Sequence, residues 1–258
     1  MNLYFDKNSI QSVDAAIQKY SAGEFRSPTR STVPLLSWLK HEQSTVFDLL
    51  EDLGLPTDCN LHLEYRVKSM RGSGQASHTD LMVISGGAAI AVEAKWTEQR
   101  YEAVDKWKKK GSSLQNRSEV LTGWLDLLQG QTQHDLRVED FTDTIYQMVH
   151  RAASACAAGD RNAKMAYLVF KPSPSPHTAD TKTILADLEH LWHILGCPST
   201  FPFYLIEVNM STLPAFEAIK SLKKREKETA RRVTGALLGS EPLFSFEKYR
   251  LTRVGDDS

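Results

Sequence analysis

Two apolar runs on either side of a Gly-Gly pair constrain the fold of this chain more than any other stretch. The runs are residues 81–84 and 88–92, and Gly86-Gly87 lies between them. A Gly-Gly pair between β-rich runs favours a two-residue hairpin, because both turn residues can take positive φ. Strands that are apolar at nearly every position are typical of a sheet covered on both faces. The sequence therefore predicts an antiparallel strand pair inside a layered structure.

Three charged residues lie at the open end of this hairpin. The turn register places Asp80 opposite Glu93, with their Cβ atoms about 5 Å apart. Lys95 points to the same face as Glu93 because it is two residues further along the strand. Facing carboxylates repel each other unless positive charge lies between them. We therefore expect a divalent cation at this position, with Lys95 beside it.

The alternative is a solvated strand end, with Asp80 in an ordinary turn. Ala89 and Ala91 share the face of Glu93 and are apolar, which does not suit a strand face turned to water. The charges are also clustered at one end of the hairpin, and sheet ends are where sites form. These features favour the metal site.

The arrangement Asp80, then Glu93-Ala94-Lys95 across a hairpin, resembles the active site of the PD-(D/E)XK nuclease superfamily, which has the restriction-endonuclease-like fold. The resemblance covers residues 61–171 and extends to the order helix, three strands, helix, strand, helix. It implies that Asp80, Glu93 and the backbone carbonyl of Ala94 hold Mg²⁺ or Mn²⁺. It also implies that Lys95 lies near the scissile phosphate.

The same resemblance implies an activity. We expect a Mg²⁺-dependent phosphodiesterase, a deoxyribonuclease, that leaves 5′-phosphate and 3′-hydroxyl ends. A prokaryotic restriction, defence or phage-related role and a homodimer are expectations at the level of the superfamily. One rival is a catalytically inactive nucleic-acid-binding protein that retains the fold. The other is a partner-binding α/β protein in which Asp80 and Glu93 point apart.

Further residues are candidates for the site. Glu64 is a candidate metal ligand, and a solvated strand residue is the open alternative. Gln147 is a candidate catalytic residue that orients its neighbours, and Arg151 either meets phosphate or pairs with a neighbouring acid. Glu42, Glu51, Ser77 and His78 are weaker candidates, and His190 with His193 resembles a metal pair that lacks supporting ligands.

Basic residues follow the hairpin directly. Lys106, Lys108, Lys109 and Lys110 are expected to contact a nucleic-acid backbone, and Trp96, Tyr101 and Trp107 are interleaved with them. A second basic stretch over residues 220–232 is diluted by glutamates. The formal net charge is −1, so any basic surface must be local.

The remaining pattern predicts an α/β fold with a restriction-endonuclease-like core, in which helices flank a mixed central sheet on both faces. We expect helices over residues 8–17, 33–53, 142–157, 178–195 and 213–238, and strands over 61–68, 164–170 and 201–208. Residues 1–258 form one domain in this prediction. Its core spans about residues 33–208, and the first helix and the last basic helix are decorations.

Composition sets outer bounds. A hydrophobic content of 41% and a charged content of 24% are ordinary for a globular protein. Three cysteines without a C-x-x-C pair predict reduced thiols and a cytoplasmic protein. No apolar run approaches the ~20 residues that cross a membrane, so no membrane contact is expected.

Overall fold

The Gly86-Gly87 hairpin lies at the centre of a mixed, open sheet of nine strands. The computed structural model describes residues 1–56, 58–110, 113–159 and 162–256. The strands are β1 (Asn2–Phe5), β2 (Asn8–Ile10), β3 (Asn60–Val67), β4 (Ser77–Ser85), β5 (Ala88–Lys95), β6 (Asn162–Lys171), β7 (Phe203–Thr212), β8 (Phe244–Phe246) and β9 (Arg250–Arg253). They are ordered β2-β1-β3-β4-β5-β6-β7-β8, and β9 also pairs with β7.

Nine α-helices of the described residues pack around this sheet. They are α1 (Val13–Lys19), α2 (Thr32–His41), α3 (Gln43–Asp52), α4 (Val104–Lys109), α5 (Leu114–Leu128), α6 (Tyr146–Ala158), α7 (Thr181–Ile194), α8 (Pro214–Lys220) and α9 (Lys227–Leu238). Among them, none is both long enough and apolar enough to cross a membrane.

The sheet separates two apolar cores. One core contains Ile90, Val92 and Ala94 of β5 and is covered by α1, α2, α3, α8 and α9. The other contains Ala89 and Ala91 and is covered by α4, α5, α6 and α7. Successive side chains of a strand point to opposite faces, so a strand buried on both faces must be apolar throughout. The mixed sheet with helices on both faces agrees with the prediction.

The predicted hairpin register is confirmed. The β4–β5 ladder runs from the pair Ser85 and Ala88 to the pair Leu81 and Val92. Gly86 and Gly87 have φ angles of 55° and 85°, which a side chain would strain. β5 then pairs in parallel with β6, and β6 in parallel with β7. The chain therefore makes two crossovers, through α6 and α7, as the predicted element order requires.

The predicted amino-terminal helix exists, but its beginning was wrong. Residues 8–10 form β2, which pairs with β1 in a hairpin, and α1 begins only after Ser12, whose hydroxyl accepts the Ala15 N–H at 3.1 Å. Asp6 turns the hairpin with a φ of 54°. β1 pairs in parallel with β3, and this tertiary pairing outweighs the weak local preference for helix.

Two long helices of the prediction are each divided. Glu42 has φ −118° and ψ 44°, which ends α2 and starts α3 where a helix over 33–53 was expected. The expected helix over 213–238 becomes α8 and α9, separated by residues 221–226. Arg225 in that connection has a φ of 72° and donates its N–H to the Arg26 carbonyl, so a tertiary contact fixes the break.

β3 does not keep one apolar face. Leu61 and Leu63 belong to the core beneath α1–α3, whereas Tyr65 and Val67 pack against the opposite core. Glu64 lies between them with a φ of 55°, which rotates the strand by one face. The strand predicted over residues 61–68 thus changes face part-way, because one residue leaves the extended conformation next to the site.

Candidate active site

The site forms where the β4–β5 ladder stops. Beyond the pair Leu81 and Val92, the Asp80 side chain replaces the backbone of β4 as hydrogen-bond acceptor. Its Oδ2 accepts a hydrogen bond from the Ala94 N–H at 2.8 Å. β5 is antiparallel to β4 but parallel to β6. The site thus lies at the carboxyl ends of β5 and β6, where the sheet changes strand direction and open ends of sheets form clefts.

A cavity of about 360 Å³ opens at this point. Its walls carry five carboxylates, three fixed cations and several neutral polar groups. The lining residues are Glu24, Arg30, Ser31, Thr32, Glu64, His78, Asp80, Glu93, Lys95, Glu98, Gln99, Tyr101, Gln147 and Arg151. We call this the active-site cavity.

Glu93 accepts hydrogen bonds from three side chains. Lys95 Nζ and Gln147 Nε2 donate to its Oε1 at 2.9 Å and 2.7 Å, and Arg151 Nε donates to its Oε2. The residue is 3% exposed. Burial by itself raises the pKa of Glu93, but Arg151 and Lys95 outweigh that effect and hold the pKa below its ordinary value. Glu93 is therefore a buried carboxylate that keeps its charge.

Lys95 is held in place by its neighbours. Its ammonium group also donates to Gln147 Oε1 at 2.7 Å and lies 5.9 Å from the centroid of the Tyr167 ring. Gln147, in the first turn of α6, thus contacts both Glu93 and Lys95. Gln147 was predicted to orient its neighbours, and it contacts the two charged residues of the site directly.

Asp80 has less positive charge beside it than Glu93 has. Burial and the nearby negative charge of Glu93 raise the pKa of Asp80 well above its ordinary value, although Arg151 opposes them. The carboxyl group still opens into the active-site cavity. A carboxylate in this environment gains from any additional cation.

Glu64 completes a row of three acids. The β3–β4 ladder includes Leu63 with Leu81 and Tyr65 with Thr79 but skips the pair Glu64 and Asp80, which the register would place opposite each other. Burial raises the pKa of Glu64, and His78 Nδ1 lies 3.1 Å from its Oε2. Glu64, Asp80 and Glu93 therefore occupy one row across β3, β4 and β5.

This donor set fits a hard divalent cation. In the part of the chain that the structure describes, no three His, Cys, Asp or Glu side chains converge as a complete metal cage. Mg²⁺ commonly binds through one or two carboxylates and takes its other ligands from water and substrate phosphate. For such a cation, Asp80 and the Ala94 carbonyl would be the oxygen ligands, and Glu93 would join them only if Arg151 released it.

Arg151 was expected either to meet phosphate or to pair with a neighbouring acid, and in the structure it pairs with an acid. It is 6% exposed on α6 and pairs with Glu93. Its NH1 donates to Ser77 Oγ, and Ser77 Oγ lies 2.9 Å from His150 Nδ1. Burial, with Arg151 beside it, lowers the pKa of His150 well below its ordinary value, so the imidazole is neutral. Arg151 is thus part of the buried site.

The other sequence candidates lie outside this cavity. Lys109 pairs with Asp105 at 2.7 Å and Lys110 with Glu102 at 2.6 Å. None of the four candidate lysines on or beside α4 (Lys106, Lys108, Lys109 and Lys110) lines the cavity, and neither do Glu42 and Glu51. The role of these lysines in binding nucleic acid stays a prediction.

The histidine pair is also explained without a metal. His190 Nε2 lies 3.0 Å from Asp143 Oδ1, and His193 Nδ1 bonds the Glu189 carbonyl at 2.7 Å. Each ring therefore has its own hydrogen-bond partner within the chain.

Sequence reasoning missed the amino-terminal wall of the cavity. The Glu98 carboxylate accepts the Ser31 N–H at 2.8 Å through one oxygen and the Trp96 N–H at 2.8 Å through the other. Glu24 and Arg30 pair at 3.0 Å on the wall that Glu98 secures. A third backbone N–H group, that of Thr97, also donates to the Glu98 carboxylate at 3.0 Å. No local pattern indicates this contact, because it joins segments far apart in the chain.

Residues 9–210 match the family described as a domain of unknown function, DUF6946. The chain belongs to that family. The matched range contains the whole row of acids, together with Lys95, Gln147 and Arg151. No curated protein and no solved structure matches the chain. Membership of DUF6946 therefore describes the chain without assigning a reaction to the site.

Proposed function

We propose that this DUF6946 protein is a metal-dependent nuclease that hydrolyses phosphodiester bonds in DNA, with a restriction-endonuclease-like core. The observation that carries the proposal is the arrangement of half-buried Asp80 with buried Glu93 and Lys95 at one end of a hairpin. Both carboxylates line one cavity and Lys95 bonds Glu93, which argues against a solvated strand end and against a chance motif. A restriction, defence or phage-related role rests on the superfamily resemblance alone.

The unequal charge of the two carboxylates supports a cation between them. Glu93 is neutralised by Arg151 and Lys95, whereas the pKa of Asp80 is raised by burial and by Glu93 itself. Such opposed environments are common at catalytic sites. Asp80, Glu93 and the Ala94 carbonyl would hold Mg²⁺ or Mn²⁺, and Glu64 adds negative charge behind them. The bound cation supplies charge neutralisation at the phosphoryl oxygen and a water of lowered pKa.

The protein residues then act on the scissile phosphate. Lys95 places a positive charge beside the phosphoryl oxygens, where negative charge grows as water attacks in line. Gln147 fixes the Lys95 ammonium group by a 2.7 Å hydrogen bond, so the lysine does not need to reorganise during the reaction. Arg151, once it leaves Glu93, presents its guanidinium group to a phosphate oxygen. The water oxygen bonds to phosphorus as the bond from phosphorus to the 3′ oxygen breaks, and the departing oxygen takes up a proton from solvent, leaving a 5′-phosphate and a 3′-hydroxyl.

A cleavage assay tests the proposal. Supercoiled, linear and single-stranded substrates are incubated with Mg²⁺ or Mn²⁺ and with EDTA. We expect Lys95→Ala to reduce the cleavage rate by at least about 100-fold, as removal of one charge-stabilising group does elsewhere. Lys248→Ala, at an exposed lysine that lines neither the active-site cavity nor the groove beside it, is the matched control and should keep full activity.

Two outcomes would contradict the proposal. Cleavage that persists in Lys95→Ala and in EDTA would come from another nuclease in the preparation. Binding of nucleic acid without cleavage, under every metal condition, would favour the second candidate, an inactive binding protein that retains the fold. The intact set of Asp80, Glu93 and Lys95 argues against that candidate.

A further inference from the structure

A second groove, of about 540 Å³, lies beside the active-site cavity. Tyr101 lines both, so the two spaces adjoin at this side chain. Ser77 and His150, which contact Arg151 in the active site, also line the groove. The groove is therefore the space next to the active-site cavity into which a strand bound at Lys95 would extend.

The groove contains a stacked column. The Trp107 and Tyr146 rings are 3.6 Å apart at their centroids and inclined by 11°, and the Arg117 guanidinium lies 4.5 Å from the Trp107 centroid. All three residues line the groove. Because Tyr146 and Arg117 both contact the Trp107 ring, the column forms a wall of the groove, and Tyr101 is the exposed aromatic ring that lines it. Aromatic rings are surfaces on which unpaired nucleobases stack.

Exposed apolar side chains are concentrated at the rim. Among the described residues, the large apolar side chains left exposed are Met70 at 66%, Tyr101 at 44% and Leu114 at 59%. Tyr101 lines the groove, and Met70 and Leu114 are chain neighbours of lining residues. Exposed apolar groups gathered at one concavity mark a binding surface.

The walls of the groove are preformed. Asn116 holds the loop between β3 and β4 by accepting the Ser73 N–H at 2.8 Å and donating to the Ser73 carbonyl at 2.8 Å. Gly123 brings α5 so close to this loop that a Cβ there would lie 2.3 Å from the Arg71 backbone nitrogen. A rigid groove does not need to order itself when a ligand binds.

We propose that this groove binds an unpaired nucleobase of the substrate strand, so that the nuclease acts on nucleic acid that is single-stranded or unpaired next to the cut. We call it the base groove. The inference rests on the proposed function and adds its substrate class. The interior of a duplex does not suit the base groove, because paired and stacked bases present no free face to Tyr101.

Binding measurements test the base groove without relying on cleavage. In the Lys95→Ala background, affinities are measured for an oligothymidylate, for an oligomer of equal length in which every base is absent, and for a duplex. We expect the oligothymidylate to bind about 10-fold more tightly than the base-free oligomer, which is the effect of one stacking contact. Adding Tyr101→Ala should remove this difference, and adding Tyr101→Trp should preserve it.

The outcomes separate the two proposals. If the protein cleaves DNA but Tyr101→Ala weakens binding of all three ligands equally or of none, the base groove is wrong and the nuclease stands. If nothing is cleaved but the base-dependent difference requires Tyr101, the base groove stands and catalysis is wrong. A groove that instead binds an apolar peptide would give no difference between the oligomer with bases and the one without, which overturns the inference.

Discussion

Glu93 shows how a single buried carboxylate can determine the state of a site. Arg151, Lys95 and Gln147 together satisfy both of its oxygens. In this arrangement the guanidinium group of Arg151 lies against Glu93. Under the proposed function, binding of a cation to Glu93 would require release of Arg151, and the released arginine would be available to the substrate phosphate.

The pairing of Arg151 with Glu93 gives a first prediction. Arg151→Met keeps much of the side-chain volume but leaves Glu93 with less positive charge in a buried position. We expect the free energy of unfolding to fall by about 3 kcal/mol, the usual cost of breaking a buried ion pair on one side. Urea denaturation measures it. The double variant with Glu93→Gln should recover part of the loss, and an additive loss in the double variant would contradict the coupling.

Asp80 gives a second prediction, in which the substitution should raise the free energy of unfolding rather than lower it. Its folded-state pKa is raised by burial and by Glu93. Between the ordinary pKa and the raised one, the folded state holds a proton that the unfolded state has lost. The carboxyl group therefore lowers stability as pH rises through that window. Asp80→Asn removes the charge, and we expect it to stabilise the metal-free protein by about 1 kcal/mol at neutral pH.

This gain in stability should accompany a loss of cleavage. Thermal unfolding in EDTA measures the first and the plasmid assay the second. Asp105→Asn, at a carboxylate paired with Lys109 on the surface, is the matched control and should give no comparable gain. An Asp80→Asn protein that is less stable than the parent in EDTA would show that Asp80 does not carry unrelieved negative charge.

At the scale of single residues, the sequence predicts the part of the site that depends only on local strand and turn geometry. Asp80, Glu93 and Lys95 follow from the turn and from strand alternation, because a two-residue turn permits one register. Gln147 follows only from the superfamily resemblance. Glu98 and its hold on Ser31 do not follow at all, since the contact depends on how distant loops approach each other in three dimensions.

At the scale of elements, the close approach of α5 to the β3–β4 loop is the feature with the clearest energetic consequence. A Cβ at Gly123 would meet Ser69 Oγ at 2.2 Å and the Arg71 nitrogen at 2.3 Å. Backbone atoms cannot yield as a flexible side chain can. The helix and the loop must therefore separate if any other residue replaces this glycine.

Two glycine-to-alanine substitutions test this packing as a matched pair. Gly123→Ala should lower the free energy of unfolding by about 3 kcal/mol through overpacking. Gly235→Ala, in the middle of α9 with no atom within 4 Å of the added Cβ, should raise it by about 1 kcal/mol because alanine is the better helix former. Chemical denaturation of both variants decides the matter, and equal effects would refute the packing argument.

Strongly patterned elements were predictable and context-dependent ones were not. The central hairpin, α6, β6 and α7 have apolar residues whose spacing, run length and flanking turn residues favour the structures that they form. β1 and β2 are short, and they exist because β3 offers a strand edge to pair with. The breaks at Glu42 and Arg225 and the face change at Glu64 are set by contacts that a single local window of sequence does not contain.

At the scale of the whole molecule, an apolar core covers each face of the sheet, and the site lies at the end of the strands between them. One core lies under α1–α3, α8 and α9, and the other under α4–α7. The charges that neither core can accommodate collect where the strands end. Metal binding to these charges should be visible as stability of the entire fold, because a ligand that binds only the folded state shifts the unfolding equilibrium.

Mg²⁺ or Mn²⁺ should therefore raise the melting temperature. At a metal concentration about 100-fold above the dissociation constant, we expect about 2.7 kcal/mol of added stability. Protons compete with the cation for Asp80, whose pKa is raised by burial and by Glu93, so the gain should shrink as pH falls through that raised value. Thermal scans with metal and with EDTA across a pH series measure the effect.

Asp80→Asn is the control for this measurement. It should lose most of the metal-dependent gain at every pH while it remains folded. A gain that grows towards acid pH, or that persists in Asp80→Asn, would mean that the cation binds elsewhere on the chain.

The Glu98 contact has a consequence for how this protein can be divided. A truncated fragment beginning after residue 31 would retain Asp80, Glu93 and Lys95 on their strands. It would nevertheless lack Glu24 and Arg30, and one oxygen of the Glu98 carboxylate would lose its amide donor. The acidic row is therefore not an excisable module. Any shortened version intended for crystallisation or transplantation must carry the early loop with it to keep the cavity closed on that side.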